Sequence, residues 1–247
     1  MTLIFPLFFL VALLYSLVGF GGGSSYIALL TLFDIPYETI PKIALMCNII
    51  VVTSGALHFY RKGFLKWQLI WPFVVSSVPF AFIGGLIPVS KQLFYLLLGT
   101  SLVIAGSQLL FNKSFNSLGV VKALNKPMAV VIGAVLGLLS GMVGIGGGIF
   151  LAPILLNLKW ATPKQVAATA SFFIFINSLF GILGQVTKSG NFIDLYSYAP
   201  LFVAVFIGGQ IGSYLASGKK ISHQAILTST SVLVFFVGLR LLYKFLF

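Results

Sequence analysis

Long apolar blocks follow one another along the whole chain, each separated from the next by a short polar or glycine-rich stretch. A helix that crosses the roughly 30 Å hydrocarbon core of a bilayer needs roughly 20 residues. Charged residues make up only 7% of the sequence, whereas soluble domains average about 25%. The sequence therefore predicts an all-α polytopic membrane protein. Its long apolar segments, about eight in number, span approximately residues 3–18, 43–60, 69–89, 93–111, 128–143, 166–186, 195–216 and 225–245.

Two further apolar pieces, residues 24–33 and 149–158, are too short to cross a bilayer as helices. Each follows a glycine cluster of the pattern GxGGG. The first cluster runs from Gly19 to Gly23, and the second runs from Gly144 to Gly148. Adjacent glycines destabilise a helix by about 1 kcal/mol each. We therefore expect each cluster to form the tip of a broken or re-entrant helix hairpin.

The two clusters belong to a longer internal repeat. The pair Gly84 and Gly85 returns at Gly208 and Gly209, at nearly the same spacing as the GxGGG clusters. Recurrence of this kind indicates a duplication. The sequence predicts a first membrane repeat at residues 1–113, a polar linker at 114–126 and a second membrane repeat at 127–247. Each repeat is expected to contain one glycine-tipped hairpin and three spanning helices.

The distribution of Lys and Arg distinguishes two topologies, because cytoplasmic loops collect these residues. If each glycine cluster only interrupts one crossing helix, the 15 basic residues divide 9 to 6 between the two sides. If each hairpin enters and leaves on the same side, they divide 10 to 5. The second arrangement is favoured, and it makes the halves inverted repeats, as in many secondary transporters. Its more basic side carries Arg61, Lys62, Lys66, Lys113, Lys122, Lys126, Lys159, Lys164, Lys219 and Lys220.

In this arrangement the two glycine tips approach each other near the bilayer centre. Glycine leaves backbone N–H groups open, and the N-terminus of each short helix carries about half a positive charge. Polar side chains inside apolar helices tend to face the interior of the bundle. We therefore expect a site for a small anion that needs no Lys or Arg. The predicted substrate-binding residues are Gly19, Gly21, Gly22, Gly23, Ser24, Ser25, Asn48, Gly144, Gly146, Gly147, Gly148, Thr169, Ser171 and Asn177.

The chain has few side chains that catalyse reactions or bind metals. Cys47 is the only cysteine, and the sequence contains two His and three acidic residues. This composition argues against a disulfide, a metal cluster and paired-acid catalysis. We expect no catalytic residues, no metal and no cofactor, and thus no enzyme. The net charge of +12 is spread between the apolar blocks instead of forming a basic stripe, so a nucleic-acid partner is not expected.

Three stretches together resemble the TauE/SafE family of membrane proteins. They are GFGGGSSYIALLTL from Gly19, HFYRKGFLKW from His58, and GMVGIGGGIFLAPILLNLKWATPKQVAATASFFIFINS from Gly141. The resemblance covers nearly the whole chain, and the stretch from Gly141 is the most specific. The first half departs from the second at Asn48, which follows Met and Cys where the second half has a Thr- and Ser-rich stretch.

The resemblance implies a multi-pass protein of the bacterial inner membrane that exports sulfite, sulfoacetate or related organosulfonates. Its partners would be the small anion and the lipid bilayer. Two alternatives remain open from the residues, namely a permease for another small anion and a membrane structural subunit without transport activity. The sequence contains no feature that assigns an oligomeric state.

Overall fold

The computed structural model describes residues 3–111, 121–190, 193–218 and 223–246, so residues 114–120 of the predicted linker lie outside the described residues. Within these ranges the chain forms ten α-helices and no strand. Numbered in chain order, the helices are α1 Ile4–Val18, α2 Gly23–Leu32, α3 Ile40–Arg61, α4 Trp67–Leu86, α5 Lys91–Phe111, α6 Lys126–Val143, α7 Gly148–Asn157, α8 Pro163–Ser189, α9 Ala199–Gly218 and α10 His223–Leu246.

The described helices include five segments that are long and apolar enough to cross a membrane. They are α3, α4, α6, α8 and the segment Tyr196–Leu215, which contains most of α9. This confirms the predicted multi-pass all-α membrane protein. The other long apolar blocks also form helices, α1, α5 and α10, but the predicted total of about eight long segments stays a prediction. The two short pieces form helices of 10 residues each, α2 and α7, about 15 Å long.

Local sequence signals set several helix ends. The long helices α3, α6 and α8 each have a proline in the first turn, where its missing N–H costs nothing. Thr162 and Gln165 form a capping box before α8, which satisfies two otherwise free N–H groups. Gly19 and Gly144 end α1 and α6 in left-handed conformations, which glycine adopts without strain.

Glycine stripes let two pairs of helices pack backbone to backbone. On α6, a Cβ at Gly137 would lie 2.7 Å from the Cα of Ser77 on α4, and Gly133 and Gly141 contact the α4 backbone in the same way. On α9, Gly208 and Gly212 contact the backbone of α1. Small residues four apart allow this close approach in membrane bundles. In both the α4/α6 and the α1/α9 pair, glycines four residues apart on one helix thus contact the backbone of the other.

The remaining long helices pair between the two halves of the chain, α3 with α8 and α5 with α10. Within each half, α2 packs on α3 and α7 packs on α8. Exchanging α1–α5 with α6–α10 maps the α3/α8 and α5/α10 contacts onto themselves and exchanges the α2/α3 contact with the α7/α8 contact. The α4/α8 contact corresponds in the same way to the α9/α3 contact.

The register of facing residues gives the relative direction of each packed pair. Residue numbers rise together in α4/α6 and α1/α9, so these pairs are parallel, and α3/α9 and α4/α8 are parallel for the same reason. The α3/α8 and α5/α10 pairs are antiparallel. For the parallel pairs, the facing residues are Gly133 with Phe73 and Gly141 with Ala81 (α6/α4), Gly208 with Phe9 and Gly212 with Leu13 (α9/α1), Val51 with Gly209 and Ser54 with Ser213 (α3/α9), and Trp67 with Phe172 and Gly85 with Gly184 (α4/α8). For the antiparallel pairs, they are Gly55 with Ser171 and Leu45 with Gly181 (α3/α8), and Gly99 with Leu242 and Gly106 with Phe235 (α5/α10).

Candidate functional site

The two glycine clusters form buried turns between a long helix and a short one. Gly22 precedes α2 with φ of 81°, and Gly147 precedes α7 with φ of 78°. These left-handed conformations favour glycine because a Cβ would be strained there. The N-termini of α2 and α7 that follow these turns are buried inside the protein. We call residues 19–23 the first tip and residues 144–148 the second tip.

Several backbone N–H groups at the first tip are left open. The helical bonds of α2 begin with the N–H groups of Ser25 and Tyr26, which donate to the carbonyl of Gly22. No hydrogen bond from the N–H groups of Gly21, Gly23 or Ser24 is found among the described residues, and no side chain caps α2. Buried N–H groups almost always have a partner. The first tip therefore holds buried donors that are available to a ligand.

Asn48, in the middle of α3, lies between the two tips. Its side chain is fully buried, and its Nδ2 donates to the carbonyl of Ile145 in the second tip at 3.3 Å. A Cβ on Gly23 would lie 2.6 Å from the same carbonyl and 2.6 Å from Asn48 Nδ2. The first tip, Asn48 and the second tip are thus in direct contact, with no room for a side chain at Gly23.

Helix α8 covers the tips from the other side. The hydroxyl of Ser171 donates to the carbonyl of Gly19 and, at 2.8 Å, to Ala167 of its own helix. Ile174 touches both tips, since a Cβ at Gly21 would lie 3.1 Å from its Cγ2 and one at Gly146 would lie 3.0 Å from it. Helices α3 and α8 therefore hold the two tips together. Asn48 of α3 bonds the second tip, Ser171 of α8 bonds the first tip, and Ile174 of α8 packs on both.

A small cavity of about 20 Å³ lies at this meeting point. That volume holds about one water molecule. Tyr15 borders it, with its hydroxyl 2.8 Å from the hydroxyl of Ser25. We call it the central cavity. Its lining residues are Tyr15, Phe20, Gly21, Gly22, Gly23, Ser24, Asn48, Ile145, Ile149 and Ile174.

Comparison with known proteins identifies the family. Residues 4–241 match the family model described as Sulfite exporter TauE/SafE. The chain is also 32% identical over 240 residues to a protein of Sinorhizobium fredii (strain NBRC 101917 / NGR234) named probable membrane transporter protein y4hK, covering 96% of each chain. The chain belongs to the TauE/SafE family.

Other relatives are consistent with this membership. The probable membrane transporter protein YunE of Bacillus subtilis (strain 168) is 24% identical over 261 residues, covering 94% of this chain and 93% of the relative. The Sulfite exporter TauE/SafE family protein 1 of Arabidopsis thaliana is 31% identical over 115 residues, covering 47% of this chain and 24% of the relative. No solved structure matches the chain. This member of the TauE/SafE family is thus a multi-pass membrane transporter with a small-molecule substrate.

The predicted binding residues of this TauE/SafE chain fall into two groups. Lining the central cavity are Gly21, Gly22, Gly23, Ser24 and Asn48. The others lie around it without lining it. Two of these make hydrogen bonds: the carbonyl of Gly19 accepts one from the Ser171 hydroxyl, and the Ser25 hydroxyl pairs with that of Tyr15. The glycines of the second tip pack on side chains or backbone of other helices, Gly144 on Pro41, Gly146 on Asn48, Gly147 on Phe173 and Gly148 on Ile174. Thr169 and Asn177 are buried within α8.

Asn177 differs from Asn48 in how its amide is used. Its Nδ2 donates to the carbonyl of Phe173, four residues earlier in α8, at 2.8 Å. Only its Oδ1 is left without a partner among the described residues. A side chain that bonds its own helix in this way has less to offer a ligand. The structure therefore brings Asn48, and not Asn177, to the central cavity.

Several buried hydroxyls of this TauE/SafE chain have no partner among the described residues. A Cβ on Gly146 would lie 3.3 Å from the Ser178 hydroxyl, so that group borders the second tip. Burying an unpartnered hydroxyl costs roughly 1–3 kcal/mol, and such groups in a native protein call for an explanation. The buried side-chain oxygens without a partner, among described residues, are Tyr26 Oη, Asn48 Oδ1, Gln108 Oε1, Ser140 Oγ, Thr169 Oγ1, Asn177 Oδ1 and Ser178 Oγ.

Five cavity residues were not among the predicted binding residues. Phe20 and Ile145 occupy the variable position of the two GxGGG clusters, so the motif itself pointed to them. Tyr15 stands one helical turn before the first tip. Ile149 and Ile174 are apolar residues within apolar helices, and nothing in the sequence separates them from the rest of the core.

A second cavity of about 170 Å³ opens at the end of the bundle where α4 and α8 finish. Glu38, Gln185 and Lys188 are among its lining residues. Lys188 Nζ donates to the carbonyl of Ile87 at 3.4 Å. Nearby, Lys42 is only 4% exposed and its Nζ donates to Ser189 Oγ at 3.4 Å. Lysines from both halves of the chain thus meet at this end of the bundle, outside the central cavity.

Proposed function

We propose that this chain exports small sulfur-containing oxyanions, with sulfite as the first candidate, across the bacterial inner membrane. The observation that carries the proposal is the convergence of both glycine tips on Asn48 at a buried cavity. The family description names sulfite as the exported substrate. In this proposal the anion binds between the tips, held by backbone N–H groups, the N-termini of α2 and α7, and neutral side chains.

The groups at the tips suit an anion better than a cation. The open N–H groups of Gly21, Gly23 and Ser24 are donors, and helix N-termini attract negative charge. The Ser178 hydroxyl borders the second tip without a partner and can also donate. Asn48 Oδ1 is an acceptor, which suits an oxyanion that carries a proton. No fixed cation lines the central cavity, so a bound anion is not trapped by a salt bridge.

Transport requires the central cavity to open. Its volume of about 20 Å³ holds about one water, and a sulfite ion is larger. Because Gly23 and Ile145 are in contact, the tips must separate before a substrate can enter. The described conformation is therefore proposed to be a closed one, from which the protein opens the cavity to one side of the membrane or to the other.

We further propose that the two halves, residues 1–113 and 127–247, are inverted repeats joined by the linker 114–126. Helices α1 and α3 both run parallel to α9, so α2 must bring the chain back between them. In the second half, the N–H of Lys122 before α6 donates to the carbonyl of Lys159 after α7 at 2.7 Å. Both observations support hairpins that enter and leave on one side. Each half then has an odd number of crossings, and the halves are oppositely oriented.

Cysteine accessibility tests this topology. In a Cys47→Ala background, single cysteines replace the exposed residues Lys62 and Lys164, and intact cells are treated with a thiol reagent that does not cross the membrane. Hairpins put both positions on the same side, so we expect the same labelling for both and the opposite result for Ser90→Cys. Continuous glycine-interrupted crossings put positions 62 and 164 on opposite sides, and opposite labelling of these two would refute the inverted halves.

A thermal-stability screen of purified protein tests the substrate class. A ligand that binds only the native state at 100 times its Kd stabilises it by about 2.7 kcal/mol. We expect sulfite to raise the melting temperature by several degrees, and we expect chloride at equal ionic strength to have no such effect. Thiosulfate, sulfoacetate, taurine and carboxylates rank the specificity. Stabilisation by none of these anions would count against the proposed site.

A further inference from the structure

An exposed apolar groove lies outside the central cavity, where α3 ends and α4 begins. It encloses about 290 Å³ and is bordered by Thr53, Ala56, Leu57, Tyr60, Leu65, Trp67, Phe172 and Phe175. We call it the α3/α4 groove. Leu57 is 47% exposed, Tyr60 56% and Trp67 55%. The groove is therefore an open, mostly apolar depression between α3, α4 and α8.

Basic residues surround the end of this groove. Lys66 stands between two of its lining residues, Leu65 and Trp67, and Arg61 and Lys62 directly follow Tyr60. All three basic side chains are exposed. The chain's three acidic residues are Asp34, Glu38 and Asp194, so none lies in the segments that form the groove. The positive charge there has no acidic neighbour in sequence.

Lys164 adds a fourth cation from α8. Its Nζ lies 5.2 Å from the ring centre of Phe64, in the turn between α3 and α4. A cation at this distance is attracted by the ring, so Lys164 is held over the turn that also carries Lys62 and Lys66. Cations from both sides of the groove are thus gathered at one end of it.

We propose that the α3/α4 groove binds a phospholipid with an anionic head group. One acyl chain lies along Leu57, Trp67 and Phe175, and the phosphate contacts the cluster of Arg61, Lys62 and Lys66. The combination of an apolar groove with a basic rim fits this ligand, because basic pockets between membrane helices bind acidic head groups. A neutral lipid would fill the groove equally well and would leave the four cations uncompensated.

Such a lipid would connect the two helices that hold the tips. The groove is lined by Thr53 of α3 and Phe172 of α8, and the same helices carry Asn48 and Ile174 at the central cavity. A chain inserted between α3 and α8 fixes their spacing at one end of the bundle. This role is independent of which anion is transported.

Tryptophan fluorescence in nanodiscs tests the proposal. The full chain is placed in phosphatidylcholine discs that contain a small fraction of either brominated phosphatidylglycerol or brominated phosphatidylcholine. Trp67 lines the groove, while Trp71 is 65% exposed and reports ordinary lipid contact. We expect stronger quenching by the anionic brominated lipid, and we expect Trp67→Phe, but not Trp71→Phe, to remove the difference. Equal quenching by the two lipids would overturn the proposal.

Charge variants identify the head-group contact. Each exposed lysine near the membrane surface contributes about 1 kcal/mol to binding acidic lipid. We therefore expect the double variant Lys62→Gln/Lys66→Gln to raise the amount of brominated phosphatidylglycerol needed for half-maximal Trp67 quenching about 30-fold. The matched control Lys122→Gln/Lys126→Gln removes the same charge from exposed positions just before and at the start of α6, and it should keep the wild-type response to brominated phosphatidylglycerol. An equal loss in both double variants would mean general surface attraction and would refute a defined site.

Discussion

Replacing Asn48 by Leu is expected to slow sulfite efflux from proteoliposomes by roughly 30-fold while the protein stays folded. The side chain has no exposed surface and makes the polar contact between α3 and the second tip, to the carbonyl of Ile145. Leu fills a similar volume, so the loss falls on hydrogen bonding and not on packing. A hydrogen bond to a charged group contributes about 1.5–3 kcal/mol, which corresponds to roughly 10- to 150-fold in rate.

The matched control for Asn48→Leu is Gln108→Leu. Gln108 is another amide within an apolar helix, on α5, with its Oε1 unpartnered among the described residues. It does not line the central cavity, so its replacement should leave efflux within about twofold of wild type. Both variants are compared for membrane abundance and for the melting shift induced by sulfite. Normal efflux and a normal sulfite shift in Asn48→Leu would remove Asn48 from the site.

Gly137→Ala is expected to destabilise the fold. A Cβ at this position would lie 2.7 Å from the Cα of Ser77 and 3.0 Å from its carbonyl carbon. These are backbone atoms of α4 and cannot rotate away as a side chain would. Overpacking of this kind costs roughly 1–3 kcal/mol. The expected result is a lower melting temperature in detergent and a lower yield from membranes.

Gly55→Ala provides the control for this change. Gly55 is also within a long helix, but a Cβ there meets only the Ser171 hydroxyl, at 3.9 Å. Alanine favours a helix over glycine by about 1 kcal/mol. We therefore expect Gly55→Ala to melt at or above the wild-type temperature. Equal melting of Gly137→Ala and Gly55→Ala would show that α4 and α6 do not pack as described.

The sequence predicted the elements of this fold better than their contacts. The apolar piece predicted at 149–158 is α7, Gly148–Asn157, because a glycine cluster marks its start and the length is set locally. The four-residue spacing of Gly133, Gly137 and Gly141 in the sequence is typical of a helix packing face. Which helix would meet that face depends on the tertiary arrangement, and no local pattern identifies α4 as the partner.

The candidate site shows the same limit. Asn48 and Asn177 are both amides within apolar helices, and both were predicted to bind substrate. Asn48 meets Ile145, 97 positions away in sequence, whereas Asn177 bonds Phe173 in its own helix. The burial of Lys42 against Ser189 depends on a contact of the same long-range kind, across 147 positions. Sequence patterns specify which residues are polar within a helix, and the fold determines which of them a ligand can reach.

The most direct measurement is the efflux of labelled sulfite from proteoliposomes that contain the purified wild-type protein. If the meeting point of the tips is a sulfite pathway, efflux should exceed that of protein-free liposomes and should saturate with sulfite concentration. It should also fall in the Asn48→Leu protein and persist in the Gln108→Leu protein. Folded wild-type protein that releases sulfite no faster than protein-free liposomes would contradict sulfite export through the central cavity.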